Sequence, residues 1–416
     1  MPKSLKLSLL SVSVVLVLGV FLGVNARGVS AAGSDVQQGA YKQIDVYGEV
    51  LQHIQTDYVE DPNMGIVTNG ALRGLLESLD ADSSYLSPAD YKLYKSGKGG
   101  KGQVGINVSK RFGYAVVVSV VPGSPADKAN LVDGDIIEAI GTKDTRDISL
   151  AMIQQLLEGG PGSELTVAVV RPSKATPDKV SMTRTLVSQA PVLDTLYENG
   201  SIVELRPAIL DREHVNGLEA KLKSAEKSGS EKKVVLDLRD VSAGDMEQGI
   251  RLANMFLKSG TIATLEGQKF AKQTFTADPS NVIDPSTPVV VLVNRGTAGP
   301  AEVAAAAIED NKRGQVVGEK TFGEGTQLKT FELPDGGAVI LTIAKYDSPS
   351  GKALESEGVT PDVLVAANVE TAQNAGDDDA NAGTTGHPAP LPKRSAVQQP
   401  DEQLNKALEL LKGKAA

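Results

Sequence analysis

The chain of 416 residues contains no cysteine, no tryptophan and only three histidines. Without cysteine there are no disulfides, no thiol catalysis and no zinc sites built on thiolates. The histidines, His53, His214 and His387, argue against a Ser-His-Asp triad, because His387 falls in a low-complexity tract. The net charge is −10 and no basic stripe is present, so nucleic-acid binding is not expected.

The two ends of the chain differ from the body in composition. Lys3 and Lys6 precede an apolar run at 7–24, and small residues follow up to Ala31 and Ala32. This pattern predicts a signal peptide at 1–33, cleaved near Ala31 or Ala32. The run is 18 residues long, the lower limit for crossing a bilayer, so an uncleaved anchor stays open as the alternative. Either way we expect an exported protein, periplasmic or anchored in the inner membrane facing the periplasm.

Near the other end, residues 369–400 are rich in Ala, Asn, Asp, Gly and Pro, which predicts a disordered linker. Residues 401–412 then form a predicted amphipathic helix, with Leu404, Leu408 and Leu411 at helical spacing. This helix can dock onto the core of its own chain or form a dimer contact.

The body is long enough for two or three domains. Residues 40–97 have a helical pattern of apolar positions. Residues 188–368 alternate between apolar strands, such as 234–238 and 289–293, and helical stretches such as 246–257. Strand-helix alternation predicts an α/β core.

Residues 98–187 resemble a PDZ domain. The candidate carboxylate-binding loop is Gln103, Val104, Gly105 and Ile106, followed by a strand at 115–121 and a helix at 150–157. In such a domain, loop amides point at the carboxylate of a polypeptide C-terminus while the ligand adds a strand to the sheet edge. Val104 and Ile106 are expected to line the pocket for the last side chain.

Two glycine-containing turns, 294–302 and 318–325, resemble the active-site turns of the carboxyl-terminal processing (tail-specific) peptidases. The stretches 78–87, 341–351 and 357–363 match the same family. The resemblance implies an α/β (α+β multidomain) fold: a helical N-terminal segment, a PDZ-like β-sandwich module and a ClpP/crotonase-like peptidase core at 188–368. It implies serine-lysine chemistry and no cofactor.

Aligning both turns without a gap puts Gly299 at the serine position and Glu324 at the lysine position. The orienting glutamine of the family lies four residues after the lysine, whereas Gln327 lies three after Glu324. The expected oxyanion region contains three further residues, Pro300, Ala243 and Gly244. Pro300 has no N–H to donate, and Ala243 replaces a glycine of the family and so restricts access to φ > 0. Gly244 is the residue next to Ala243.

Three hypotheses follow from these residues. The first is a pseudopeptidase that binds polypeptide C-termini without cleaving them and shields them or recruits them to an active relative. The second is an endopeptidase with a displaced nucleophile, Thr297, and Lys320 as its base. The third is a subunit of mixed oligomers with an active paralogue. Glu302 and Glu324 as a paired-carboxylate or metal site is disfavoured, because Glu302 is typical of a helix start and a hard cation needs more oxygen ligands.

Overall fold

The computed structural model describes residues 31–96, 100–171, 176–227, 233–283, 285–367 and 400–413. The predicted signal or anchor segment (1–33) and the predicted linker (369–400) lie almost wholly outside these residues. The chain divides into two compact units, Met1–Gly70 and Ala71–Ala416. Within the described residues, no helix is both long enough and apolar enough to cross a membrane.

The helices and strands follow one another in an order that alternates in the second half of the chain. They are α1 (Ala31–Asp57), α2 (Met64–Glu77), β1 (Ser84–Leu86), α3 (Pro88–Ser96), β2 (Ile106–Arg111), β3 (Tyr114–Val120), α4 (Pro125–Lys128), β4 (Ile136–Ile140), β5 (Lys143–Asp144), α5 (Leu150–Leu157), β6 (Glu164–Val170), β7 (Asp178–Thr183), β8 (Leu193–Tyr197), β9 (Ile202–Arg206), α6 (Arg212–Lys227), β10 (Lys233–Asp237), α7 (Met246–Asn254), β11 (Thr261–Gly267), β12 (Phe270–Thr276), β13 (Val289–Val293), α8 (Pro300–Asp310), β14 (Gln315–Gly318), β15 (Thr326–Glu332), β16 (Ala338–Asp347), β17 (Val363–Leu364) and α9 (Glu402–Lys412). The predicted mixed α/β architecture is confirmed.

An antiparallel sheet in the order β2-β3-β4-β6-β7, with β5 beside β4, forms the PDZ-like module. Helix α5 packs on this sheet through Leu150, Ile153 and Leu157, which are buried against strand residues such as Val117 and Val167. The alternation of buried and exposed positions along β6 and β7 is typical of strands with one face on a core.

The parallel sheet of the third region positions the candidate site. Its order is β17-β14-β13-β10-β9-β8, and only β8 runs antiparallel to its neighbour. All five residues of β13 are buried, as expected for a central parallel strand covered on both faces. The loops that follow β10, β13 and β14 leave the sheet at the same edge, because the three strands run in parallel.

Helices cover both faces of this sheet. Residues of α6, α7 and α8 pack on one face in a single core cluster, and α9 covers the other face with Ala407, Leu408 and Leu411. The Nζ of Lys233 donates to the carbonyl of Leu411, and Gln403 donates to the carbonyl of Val365. The C-terminal helix therefore docks onto the core of its own chain.

A second sheet, in the order β1-β16-β11-β12 with β15 beside β16, lies next to the parallel one. Strand β16 pairs with β1 through residues such as Ile340, and with β15 along most of its length. A β-bulge interrupts the β15–β16 pairing between Gln327 and Leu328.

We expect Leu411→Ala to destabilise the protein by about 2–4 kcal/mol, because it removes a fully buried side chain and leaves a cavity between α9 and the sheet. Urea unfolding measures this change. Asn405→Ala, at an exposed position of the same helix, is the control and should change the free energy of unfolding by less than about 1 kcal/mol. Equal effects of the two substitutions would show that α9 does not depend on this contact.

Candidate functional site

The turn after β13 is locked to the loop after β10. The side-chain oxygen of Asn294 accepts from the amides of Asp240 and Gly296 at 3.0 and 3.1 Å, and its NH2 group donates to Asp240 at 2.7 Å. The amide of Ala298 donates to the carbonyl of Val241 at 3.0 Å. These contacts hold the two loops together at the edge of the sheet.

Thr297 lies in the turn after β13. Its side chain is fully buried, its hydroxyl donates to the carbonyl of Leu238 at 2.8 Å, and it accepts from the amide of Asn294 at 3.0 Å. Lys320, its suggested partner, is exposed. The hydroxyl of Thr297 is therefore already engaged with the backbone.

Gly299 joins the turn to the first residue of α8. Its φ of +57° and ψ of −119° lie in a region that a residue with a side chain adopts only under strain. Such a sharp strand-to-helix turn is the geometry that exposes a nucleophile at the top of a sheet. A Cβ built at Gly299 meets no atom closer than Met246 Cε at 3.8 Å, so the space for a side chain remains open.

Glu302, in the first turn of α8, connects this turn to the one after β14. It is fully buried, and one carboxylate oxygen accepts from the amides of Gly299 at 3.0 Å and Glu324 at 2.8 Å. The other oxygen accepts from the amide of Gly323 at 2.8 Å and from the hydroxyl of Thr321. One carboxyl group thus brings the two positions identified from the sequence, Gly299 and Glu324, side by side.

Burial raises the pKa of Glu302 to about 7, even though the hydrogen bonds it accepts act in the opposite direction. Burial also raises the pKa of Glu324, to about 8, and the nearby carboxylates of Asp82, Glu302 and Glu355 add to the shift. Arg111 lowers it by a smaller amount. At neutral pH the position that the sequence aligns with the family's lysine therefore holds a mostly neutral carboxylic acid.

The oxyanion region differs in detail from what the sequence suggested. The left-handed conformations of the loop after β10 fall at Asp240, with φ of 62°, and at Gly244, with φ of 130°, and not at Ala243. The restriction that Ala243 places on φ > 0 therefore does not affect this loop. Gly244 is required, because a Cβ there would lie 2.1 Å from the carbonyl oxygen of Leu210.

The remaining predicted site residues have clear places. Pro300 is buried as the first residue of α8, where its missing N–H costs the helix nothing. The side chain of Gln327 donates to the carbonyl of Leu328, at the β-bulge, with a distance of 3.2 Å. Gln327 therefore bonds to its own strand, and within the described residues its side chain makes no hydrogen bond to Glu324.

The loop formed by Gln103, Val104, Gly105 and Ile106 lies at one end of β2, as the PDZ resemblance implied. Gly105 has φ of +82°, and a Cβ there would lie 2.2 Å from the Cβ of Ser124. The amide of Gln103 donates to the carbonyl of Thr185 at 2.8 Å, so it is not available to a ligand carboxylate. The amides of the remaining three residues are the candidates for that role.

A cavity of about 270 Å³ lies beside this loop. Val104 and Ile106 line it, as predicted, together with Gln154, Leu157 and Glu158 at the C-terminal end of α5, which the sequence did not single out. Ser242 and Glu324 of the third region also line it. The candidate peptide groove, formed by this loop and α5, and the position that the sequence aligns with the family's lysine therefore share one cavity.

Polar contacts fix the PDZ-like module against the third region at this point. The side chain of Asn107 donates to the hydroxyl of Ser242 at 2.7 Å, and Ser119 bonds to the same hydroxyl at 2.6 Å. Arg111 donates to the carbonyl of Phe322 at 3.1 Å and stacks over its ring at 4.5 Å.

Comparison with known proteins agrees with this geometry. Residues 211–365 match the family described as Peptidase family S41, and residues 116–171 match the PDZ domain. The carboxyl-terminal-processing protease of Picosynechococcus is 34% identical over 301 residues, which cover 71% of this chain and 72% of that protein. The chain belongs to the carboxyl-terminal processing protease family.

Other members of the family align over similar lengths. The carboxy-terminal-processing protease of Bartonella bacilliformis is 30% identical over 358 residues, 84% of this chain and 81% of that protein. A solved structure named photosystem II D1 C-terminal processing protease superposes with a TM-score of 0.65 at 28% identity, covering 77% of this chain and 86% of that one.

Within the described residues, no group of three or more His, Cys, Asp or Glu side chains could hold a metal ion. This includes Glu302 and Glu324, whose neighbourhood contains other carboxylates but no such arrangement. The role of Glu302 in holding two turns together is the main feature of the site that sequence reasoning missed. Three of its four partners, Thr321, Gly323 and Glu324, lie about twenty residues further along the chain, so no local pattern signals them.

The raised pKa values predict a pH dependence of stability. The folded state holds protons on Glu302 and Glu324 more tightly than the unfolded chain does, whose glutamates titrate near 4.5. The free energy of unfolding should therefore fall as pH rises from about 4.5 to about 8. Glu324→Gln removes part of this loss, and at pH 9 it should be more stable than the wild type by about 1–3 kcal/mol.

Urea unfolding at pH 5 and pH 9 measures this difference, which should vanish at pH 5. Glu357→Gln, at an exposed position nearby, serves as the control and should show no gain at either pH. A Glu324→Gln protein that is no more stable than wild type at pH 9 would contradict the assignment of a partly buried carboxyl without a compensating partner.

Proposed function

We propose that this member of the family is an exported protein that binds polypeptide C-termini through its PDZ domain without cleaving them. The observation that carries the proposal is the pairing of Gly299 with Glu324 beside the peptide groove. Serine-lysine hydrolysis needs a hydroxyl and a neutral amine that deprotonates it. Gly299 offers no atom that could form an acyl intermediate, so there is no nucleophile at that position from which Glu324 could take a proton.

Pro300 supports the same proposal. The amide after the nucleophile contributes to the oxyanion hole in this family, and proline has no amide hydrogen. In other hydrolases, loss of one oxyanion donor costs about 100- to 1,000-fold in rate. The backbone of the turn is retained, while the groups that would act on a substrate are replaced.

The alternative is an active serine-type endopeptidase with a displaced nucleophile. Thr297 is the nearest candidate hydroxyl in the turn, but it is buried and bonded to two backbone groups. Freeing it would break the contacts that join the turn to Leu238. The geometry therefore favours binding over this form of proteolysis.

A binding protein of this kind would shield C-termini or bring them to an active protease, such as an active paralogue. Helix α9 uses its apolar face on its own core, so a homodimer or mixed oligomer would need another surface. Export by a signal peptide, or anchoring in the inner membrane, remains part of the proposal on the basis of residues 7–24.

Peptide binding and turnover can be measured on one sample of residues 34–416. We expect fluorescent peptides with an apolar last residue to bind, and amidation of their C-terminal carboxylate to abolish binding, because the loop amides need an anion. Mass spectrometry after overnight incubation should recover the peptides intact. Gln154→Trp, at an exposed groove position, should block binding without disturbing the core.

Cleavage that persists through rigorous purification and is lost in Thr297→Val would contradict the proposal and support the displaced nucleophile. Binding that is indifferent to amidation would contradict the part of the proposal that concerns C-termini.

Rebuilding the site tests the role of Pro300. The double variant Gly299→Ser/Glu324→Lys restores the hydroxyl and the amine, and the triple variant adds Pro300→Ala to restore an amide donor. With a fluorophosphonate probe, we expect the double variant to be labelled about 100-fold more slowly than the triple variant, because it lacks one oxyanion donor.

Intact-mass spectrometry over time gives both labelling rates, and the wild type serves as the unlabelled control. Equal rates for the two variants would show that Pro300 does not limit the site. Labelling of the wild type would contradict the absence of a reactive hydroxyl.

A further inference from the structure

Glu324 faces the peptide groove. It lines the cavity of about 270 Å³ that also contains Val104, Ile106, Gln154 and Glu158. This volume is slightly below the range of about 300–1,000 Å³ that is typical of ligand pockets, so the end of a peptide fits it better than a folded partner. A ligand in this groove therefore comes close to Glu324.

The carboxyl group of Glu324 has no hydrogen-bond or ion-pair partner among the described residues, although its backbone amide is held by Glu302. Glu324 is partly buried. A carboxyl that loses hydration without gaining a partner is costly, and such groups concentrate at functional sites. The rest of the neighbourhood does not neutralise it. The charged groups that face it are Asp82 before β1, Glu302 on α8, Glu355 after β16 and Arg111 on β2.

Arg111 is the one cation in that set, and it is engaged elsewhere. It donates to the carbonyl of Phe322 and stacks on the ring of the same residue. Glu158 also lines the cavity, but its carboxylate already accepts from the side chain of Gln103 at 3.5 Å. The cavity thus offers a carboxyl group without a partner next to a loop whose amides suit a C-terminal carboxylate.

We propose that Glu324 is a specificity-determining residue of the groove, which selects polypeptides with a basic side chain within about four residues of their C-terminus. The limit of about four residues from the C-terminus is set by the length of β2, because the ligand adds as a strand beside this six-residue strand. The ammonium or guanidinium group of the ligand supplies the partner that Glu324 lacks. This inference rests on the proposed function, since it requires that peptides bind in the groove.

The proposal predicts how the affinity for basic peptides changes with pH. A cation favours the ionised form of Glu324, so binding of a basic peptide releases a proton wherever the free carboxyl is still protonated. Affinity for basic peptides should therefore rise with pH between 6.5 and about 9, while affinity for neutral peptides should not follow this course.

The experiment uses eight-residue peptides with one apolar last residue and a single lysine moved through the four preceding positions. Matched peptides carry glutamine at the same positions. Fluorescence anisotropy with the protein of residues 34–416 measures affinities at pH 6.5 and 9. We expect one lysine position to give binding about 10-fold tighter than glutamine at pH 9, because an adjacent opposite charge shifts a carboxyl pKa by about one unit or more.

Three variants assign the preference to a residue. Glu324→Gln should abolish it and its pH dependence while keeping the affinity for glutamine peptides, and Glu324→Lys should reverse it in favour of peptides with glutamate at that position. Glu158→Gln should leave the preference in place. Glu357→Gln, outside the cavity, is the matched control and should behave as the wild type.

A lysine preference that survives Glu324→Gln, or that disappears in Glu158→Gln, would overturn the assignment to Glu324. Carboxylate-dependent binding without any lysine preference would overturn the inference and leave the proposed function intact. Failure of all peptides to bind through their carboxylate would overturn both.

Discussion

The site depends on the buried carboxyl group of Glu302. Its two oxygens accept hydrogen bonds from the backbone amides of Gly299, Gly323 and Glu324 and from the hydroxyl of Thr321. Because these groups belong to the loops after β13 and β14, one side chain sets the distance between them. Removing it would leave buried amides without partners, which is costly in a protein interior. The arrangement of the backbone therefore does not require a catalytic side chain.

Because Glu302, and not a catalytic side chain, holds the backbone of the two turns, the fold can persist with Gly299 and Glu324 in place. Gly299 adopts its positive φ without the strain that a serine would incur. Glu324 occupies a partly buried position where a lysine amine would have been surrounded by carboxylates, and it carries a raised pKa instead. The change of charge at this position alters what the adjoining groove can accept, since the two share a cavity.

Much of the fold could be predicted from the sequence. The continuous apolar run at 289–293 indicates a buried strand, and the helix predicted at 246–257 is present but ends at Asn254. The two turns are recognisable from the sequence because their residues resemble the active-site turns of the family. Contacts between distant residues could not be predicted. The amide of Gln103 donates to the carbonyl of Thr185, and the positive φ angles of the loop after β10 fall at Asp240 and Gly244 and not at Ala243. Backbone angles and long-range partners are set by packing, which a local pattern does not contain.

The central claim is that the groove retains a peptide beside a position that has no nucleophile. A single-turnover experiment, with the protein in excess over a C-terminal peptide and intact masses recorded for both molecules, tests it most directly. The account predicts that all bound peptide is recovered at its full mass and that the protein acquires no adduct. A shortened peptide together with an acyl adduct mapped to Thr297 or another hydroxyl would contradict it.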